Sequence, residues 1–232
     1  MRFDVLTLFP EILDGYVGSS VLKLAIERGL VEVHCHNMRD WATDRHRSVD
    51  DRPFGGGPGM VLKADAIVPC VETIRRQGPE PGHLVMLTPQ GRRFDQRVVE
   101  ELADRERIVL LCGRYEGFDE RIRDILRPDE ISVGDFILNG GETAAMVVID
   151  SVIRLVPDVL GDEQSSADDS FSTANRQLEF AQYTRPRVFR DREVPPVLLS
   201  GNHEAIAQWR SEDSRKRTEQ RRADLIEPEQ DE

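Results

Sequence analysis

Ile108-Val109-Leu110-Leu111-Cys112-Gly113-Arg114-Tyr115-Glu116-Gly117 decides how this chain is to be read: an unbroken apolar run passes straight into a loop of glycines and charged residues. A strand covered by helices on both faces has no side left for polar residues, so a continuous apolar run is its signature. The same form recurs on either side. Leu84-Val85-Met86-Leu87-Thr88 runs into Pro89-Gln90-Gly91, and a short strand at Glu130 to Val133 runs into Gly134-Asp135-Phe136-Ile137-Leu138-Asn139-Gly140-Gly141. Helical spacing lies between them, near Asp95 to Asp104 and Phe118 to Leu126, and a further helix is expected from about Glu142 to Val156. Strands alternating with helices in this way predict an α/β fold: a parallel sheet with helices on both faces.

Working upstream, Val5, Leu6, Leu8 and Phe9 form another strand-like run. Ile12, Leu13, Val17, Val21, Leu22 and Ile26 follow at helical spacing, stopping at Gly29, so one helix is expected there. Val31, Val33 and Cys35 alternate with Glu32, His34 and His36, as in a half-exposed strand. His34 and His36 share a face, but with no third ligand nearby no metal site is expected.

Downstream, 161–176 is rich in Asp, Ser, Glu and Gln with few apolar residues, and reads as a flexible connector. It divides a larger domain, 1–160, from a small helical domain, 177–232. The latter carries Pro195-Pro196-Val197-Leu198-Leu199, a turn at Ser200-Gly201-Asn202 and helical spacing through Ile206 and Trp209, then an acidic tail.

The chain carries 31 Lys+Arg against 43 Asp+Glu, a net charge of −12, which repels a polyanion unless positive charge is gathered locally. It is gathered: between Arg185 and Arg222 ten basic residues face six acidic ones. Three scattered cysteines without CxxC spacing argue against a disulfide framework and a thiolate zinc site. The beginning lacks the long apolar stretch of a signal peptide or membrane span, so a cytoplasmic location with no membrane is expected.

In open α/β sheets ligands bind beyond the carboxyl ends of the strands, so the three glycine-bearing loops should enclose one pocket. Glycines allow a ligand to approach backbone amides and carbonyls, and Glu116 offers a carboxylate to a cation. The cluster Pro53-Phe54-Gly55-Gly56-Gly57-Pro58-Gly59-Met60 is no phosphate loop, since no Gly-Lys-Ser/Thr follows it. The charged segment before it, Arg45 to Arg52, is a candidate substrate loop.

Four blocks are long and unusual enough to carry a family resemblance: Asp44 to Met60, Cys112 to Arg121, Ser132 to Glu142, and Tyr183-Thr184-Arg185-Pro186. In this order they resemble the bacterial tRNA (guanine-N1)-methyltransferases, and the likeness extends from Met1 to Trp209-Arg210. Phe136 stands where tyrosine is frequent in that family, Thr143-Ala144 where Leu-Pro is common, and Ala181-Gln182 where Pro-His is common. The resemblance implies the SPOUT class, with a deep trefoil knot in the C-terminal part of the larger domain, which periodicity could never have produced.

It also implies a reaction: methyl transfer from S-adenosylmethionine to N1 of the guanine immediately 3′ of the anticodon. Donor-binding residues implied are Leu87, Thr88, Pro89, Gly113, Tyr115, Glu116, Gly117, Val133, Gly134, Phe136, Ile137, Leu138, Gly140 and Gly141. Guanine N1 carries a proton, so a general base is needed, and negative charge develops on O6, so a cationic donor is needed. By resemblance the base is Asp169, with Asp168 its neighbour and rival, and the O6 partner is Arg154. Asp50, Arg185, His203, Lys216 and Arg217 are the implied tRNA contacts, in the anticodon stem-loop. The family implies a homodimer whose sites are shared between subunits. It is associated with Mg2+, although no dedicated oxygen cage is visible in the sequence. The alternatives are another RNA methyltransferase on the same scaffold, a non-catalytic RNA-binding module, and a small-molecule nucleotide enzyme.

Overall fold

A computed structural model describes residues 1–78, 80–161, 169–172 and 176–226. The chain divides into two compact units, Met1–Gly161 and Asp162–Glu232.

The first unit is built on β1 (Arg2–Thr7), β2 (Glu32–Asn37), β5 (His83–Arg93), β6 (Arg107–Cys112) and β7 (Asp129–Ser132), all parallel, in the order β2-β1-β6-β5-β7. Every residue of β6 is buried, as its unbroken apolar run requires. Its alternate side chains serve two cores. Ile108, Leu110 and Cys112 face one, with α1 (Glu11–Val17), α2 (Ser20–Glu27), α4 (Gln96–Ala103) and α6 (Gly141–Ile153). Val109 and Leu111 face the other, with α3 (Ala64–Arg76) and α5 (Glu120–Leu126). Helices therefore cover both faces of the sheet.

Three expected elements differ in detail. The single helix expected from residue 10 to 26 is two, α1 and α2, because Gly18 and Ser19 interrupt it and Ser20 takes a left-handed φ of 53°. The helix expected to reach Val156 ends at Ile153: Leu155 and Val156 donate three residues back, to Val152 and Ile153, and Pro157 disfavours further helix before it. Strand β5 extends past its expected end to Arg93 but skips in register against β7 between Leu87 and Arg92. Gly91 lets the strands cross there, since a Cβ on it would strike the backbone of Glu130 and Ile131.

Strands β3 (Asp50–Asp51) and β4 (Val61–Leu62) form a small antiparallel ribbon outside the main sheet. At the opposite end of the sheet from the glycine loops, the fully buried Asp4 accepts hydrogen bonds from Arg2, from His36 Nε2 at 2.8 Å and from Arg107 Nε at 2.8 Å. Arg107 also donates to the carbonyls of Ile74 and Glu80. Burial alone would raise the Asp4 pKa, but these donors hold it well below the usual carboxylate range.

The second unit is less purely helical than expected. It holds α7 (His203–Arg221), short 3-10 turns at Pro196–Leu199 and Ala223–Leu225, and a hairpin of β8 (Val188–Phe189) and β9 (Arg192–Glu193). Asn202 caps α7 by accepting from the Ala205 amide. Among the described residues no helix is long and apolar enough to cross a membrane.

Candidate active site

Because β6, β5 and β7 are neighbours in the sheet, the loops leaving their carboxyl ends stand side by side. They enclose a cavity of about 420 Å³, and every one of the fourteen residues expected to bind the methyl donor lines it. Arg114, Gln90, Phe118 and Asn139 line it as well. Its rim is apolar and open: Phe136 and Tyr115 are exposed, and Ile137 is 81% exposed.

The backbone closes the cavity floor. Gly141 donates its amide to the Gly113 carbonyl at 2.8 Å, and Arg114 bridges antiparallel to Gly140. No side chain fits at Gly141, where a Cβ would lie 2.7 Å from the Cys112 Cα. Tyr115 takes a left-handed φ of 57° and Gly117 one of 105°, which turns the loop after β6 back over the cavity. Cys112, wholly buried behind this floor, has its thiol pushed well above the ordinary range by burial.

The glycine cluster that is no phosphate loop has a place here. Glu116 donates its amide to the Met60 carbonyl at 2.9 Å, and Leu62 donates to Gly117 at 2.9 Å. Gly59, at φ 83°, lies so close that a Cβ would collide with the Glu116 side chain. The glycine cluster and the strand after it thus brace the carboxylate facing the cavity. Sequence reading missed Gly59 and Arg114; a glycine flanked by Pro58 and Met60 hinted at a special conformation but not at its neighbour.

The other expected residues of the first unit, Asp50 and Arg154, do not line this cavity. Asp50 sits in β3, paired with Leu62. Arg154 caps the far end of α6 and lines a separate cavity of about 230 Å³ with Tyr16 and Asp150. Since α6 rises about 1.5 Å per residue, Arg154 stands about 20 Å from Gly141.

Asp169 belongs to the second unit, where its carbonyl accepts from the Ser172 amide at 3.1 Å. Phe171 donates to Gln177 and Glu179 to the Ser170 hydroxyl, so this part of the expected flexible connector is tied down. Asp168 lies outside the described residues. Arg185, His203 and Lys216 are exposed, whereas Arg217 is half-buried and donates to the Glu179 carbonyl at 3.2 Å. Every residue from 182 to 193 is exposed, including Arg185, Arg187, Arg190 and Arg192, and Phe189 is 61% exposed.

Among the described residues no group of three His, Cys, Asp or Glu is arranged to hold a metal ion. His34 and His36 are each bonded to a carboxylate, of Glu32 and Asp4.

Comparison with known families decides between the chemistries such a cavity could serve: the model of the tRNA (Guanine-1)-methyltransferase TrmD family matches residues 1–228. The chain belongs to that family. It is therefore an enzyme, a methyltransferase that modifies tRNA at guanine N1. It is 63% identical over 227 residues to the tRNA (guanine-N(1)-)-methyltransferase of Rhodopirellula baltica, covering 97% of this chain and 94% of that protein. The proteins of the same name from Dehalococcoides mccartyi and Geobacter sulfurreducens are 53% and 51% identical, covering 98% and 97% of this chain and 91% of each relative.

Proposed function

We propose that this enzyme transfers a methyl group from S-adenosylmethionine to N1 of the guanine immediately 3′ of the anticodon. One observation carries the donor's placement: three loops from distant parts of the chain converge on a single cavity whose floor is bare backbone. Its volume lies within the range of small-molecule sites, and unsubstituted glycines leave amides and carbonyls free to read an adenine edge. Apolar Phe136, Ile137 and Leu138 suit a purine face, and Glu116 suits the cationic methionine end. The donor supplies an already activated methyl group, so the protein's task is the guanine.

Asp169 removes the N1 proton as the methyl arrives, and Arg154 donates to O6, where negative charge grows. Such an interaction strengthens in the transition state and so raises the rate rather than mere affinity. Asp168, adjacent in sequence, is the competing base.

The distance of about 20 Å along α6 supports a shared site, because Arg154 cannot serve the cavity of its own chain. A homodimer in which one subunit supplies the cavity and its twin supplies Arg154 and Asp169 resolves this. Exposed apolar residues on neighbouring helices support a subunit interface there: Ile12, Val21, Leu24 and Val147 on α1, α2 and α6. The trefoil knot is supported by the path after β7, which starts on the far side of β5 and returns to meet Gly113.

tRNA is gripped by the second unit. The exposed arginines of 185–192, with His203 and Lys216, provide local positive charge in an acidic protein, and exposed Phe189 and Tyr183 offer faces to unstacked bases. Asp50 in β3 contacts the substrate from the first unit. Any Mg2+ is held jointly with RNA, and the enzyme works in the cytoplasm.

The test is direct: purified protein, labelled donor, and two tRNA transcripts differing only at the base 3′ of the anticodon. Methyl incorporation at N1 of guanine, absent from the adenine transcript, is expected. Equal labelling of both, or a ribose methyl group by mass spectrometry, overturns the target assignment.

A further inference from the structure

We propose that Glu142 is a positioning residue for methyl-donor binding, acting through Arg114 to hold two walls of the cavity at a fixed spacing; this rests on the donor reading above. Glu142 is 1% exposed and does not itself line the cavity. A carboxylate taken so far out of water costs several kcal/mol unless it is closely paired. Its Oε1 accepts from the Thr7 hydroxyl at 2.5 Å and from Arg114 Nε at 3.2 Å. Its Oε2 lies 3.0 Å from Arg114 Nη2 without a directed hydrogen bond, so that half of the pairing is electrostatic.

Arg114, which does line the cavity, is held on every side. Its Nη1 donates to the Asn139 carbonyl at 3.3 Å, and its guanidinium lies 4.6 Å from the centre of the Phe9 ring. The side chain of one cavity loop thus grips the next at residues 139 and 142, while Thr7 and Phe9 at the end of β1 brace the grip from behind. Gly140 has no room for a side chain because Arg114 and Glu142 occupy the space a Cβ would need.

A helix start needs no buried carboxylate, because an exposed Ser, Thr or Asp cap does that work at the surface. The burial of Glu142 is explained by what it orients. Without its charge, Arg114 is free to swing into the cavity or into solvent, and the glycine walls lose their fastener.

Calorimetric titration of S-adenosylmethionine into the full-length protein tests this with four chains: wild type, Glu142→Gln, Arg114→Gln and the double variant. Glu142→Gln should weaken donor binding about tenfold, the loss of one charge-assisted hydrogen bond, while the KM for tRNA stays within about twofold. The double variant should bind no more weakly than Arg114→Gln alone, since Glu142 works only through that side chain. Unchanged donor affinity in folded Glu142→Gln, or additive losses in the double variant, overturns the proposal. Should Glu142→Gln fail to fold, Glu142→Asp keeps the charge but shortens its reach; intermediate donor affinity supports the proposal and wild-type affinity overturns it. A wild-type protein that binds no donor overturns the donor reading itself, and this proposal with it.

Discussion

Glu116 rests against the bare Cα of Gly59: the two are fifty-seven positions apart in sequence, yet a single methyl group on Gly59 would occupy the space of the Glu116 side chain. The carboxylate is aimed by a neighbour that tolerates no substitution.

Gly59→Ala is therefore expected to damage donor binding. The new Cβ both displaces Glu116 and sits at φ 83°, a conformation that costs a residue with a side chain about 1–2 kcal/mol. Calorimetry should show donor affinity lowered about tenfold, with tRNA affinity retained. Wild-type donor affinity in this variant would separate Glu116 from the donor.

A site shared between subunits predicts rescue by mixing. Arg154→Ala and Leu138→Arg, one at the far end of α6 and one in the cavity wall, should each be inactive as pure proteins. After unfolding and refolding together, random pairing gives mixed dimers with one intact site each, and activity should return to about a quarter of wild type. No recovery, with dimers demonstrated by sedimentation, would mean that a single subunit supplies both residues to its own site.

Acid stability should depend on Asp4. Its folded pKa is depressed below the unfolded value, so its contribution is fully present above the ordinary carboxylate range and is lost as pH falls through and below it. Asp4→Asn should cost about 3–5 kcal/mol near neutral pH, as for a buried pair losing one partner. The difference between variant and wild type should shrink as the pH is lowered past 4 by about two units. Denaturant titrations across that range check it; a constant difference would mean that Asp4 does not titrate with folding.

Charge reversal at Arg187, Arg190 and Arg192 should weaken tRNA binding and flatten its salt dependence, by roughly one unit of log-log slope for each phosphate no longer neutralised. Lys216→Glu should act alike. Arg217→Glu should in addition lower the melting temperature, because Arg217 holds the Glu179 carbonyl. Filter binding at several salt concentrations reads the first effect, and unchanged donor affinity shows that it is confined to RNA.

What the sequence made legible was whatever burial writes into consecutive residues. The apolar run 108–112 announced a central strand because both of its faces are covered, and the glycine loops announced a cavity because close backbone approach admits little else. Pairings between distant residues were silent. Arg114 and Glu142 are twenty-eight positions apart, and only the order β2-β1-β6-β5-β7 brings their loops together. The ribbon of Asp50–Asp51 with Val61–Leu62 is too short to show periodicity. The hairpin at 188–193 turns through Arg190 and Asp191, both left-handed, where Asn-Gly would have signalled it. Asp169 and Arg154 owed their assignment wholly to resemblance, since a linker carboxylate and an arginine at a helix end look like any others.

The two rims of the sheet have opposite characters. At one, Asp4 and Arg107 rivet strands to a helix carbonyl through buried, charged hydrogen bonds; at the other, the loops that wall the cavity run on turns. Exposed side chains on the second rim can therefore be exchanged at little cost to folding, while a change at the first draws directly on the narrow margin that keeps the chain folded.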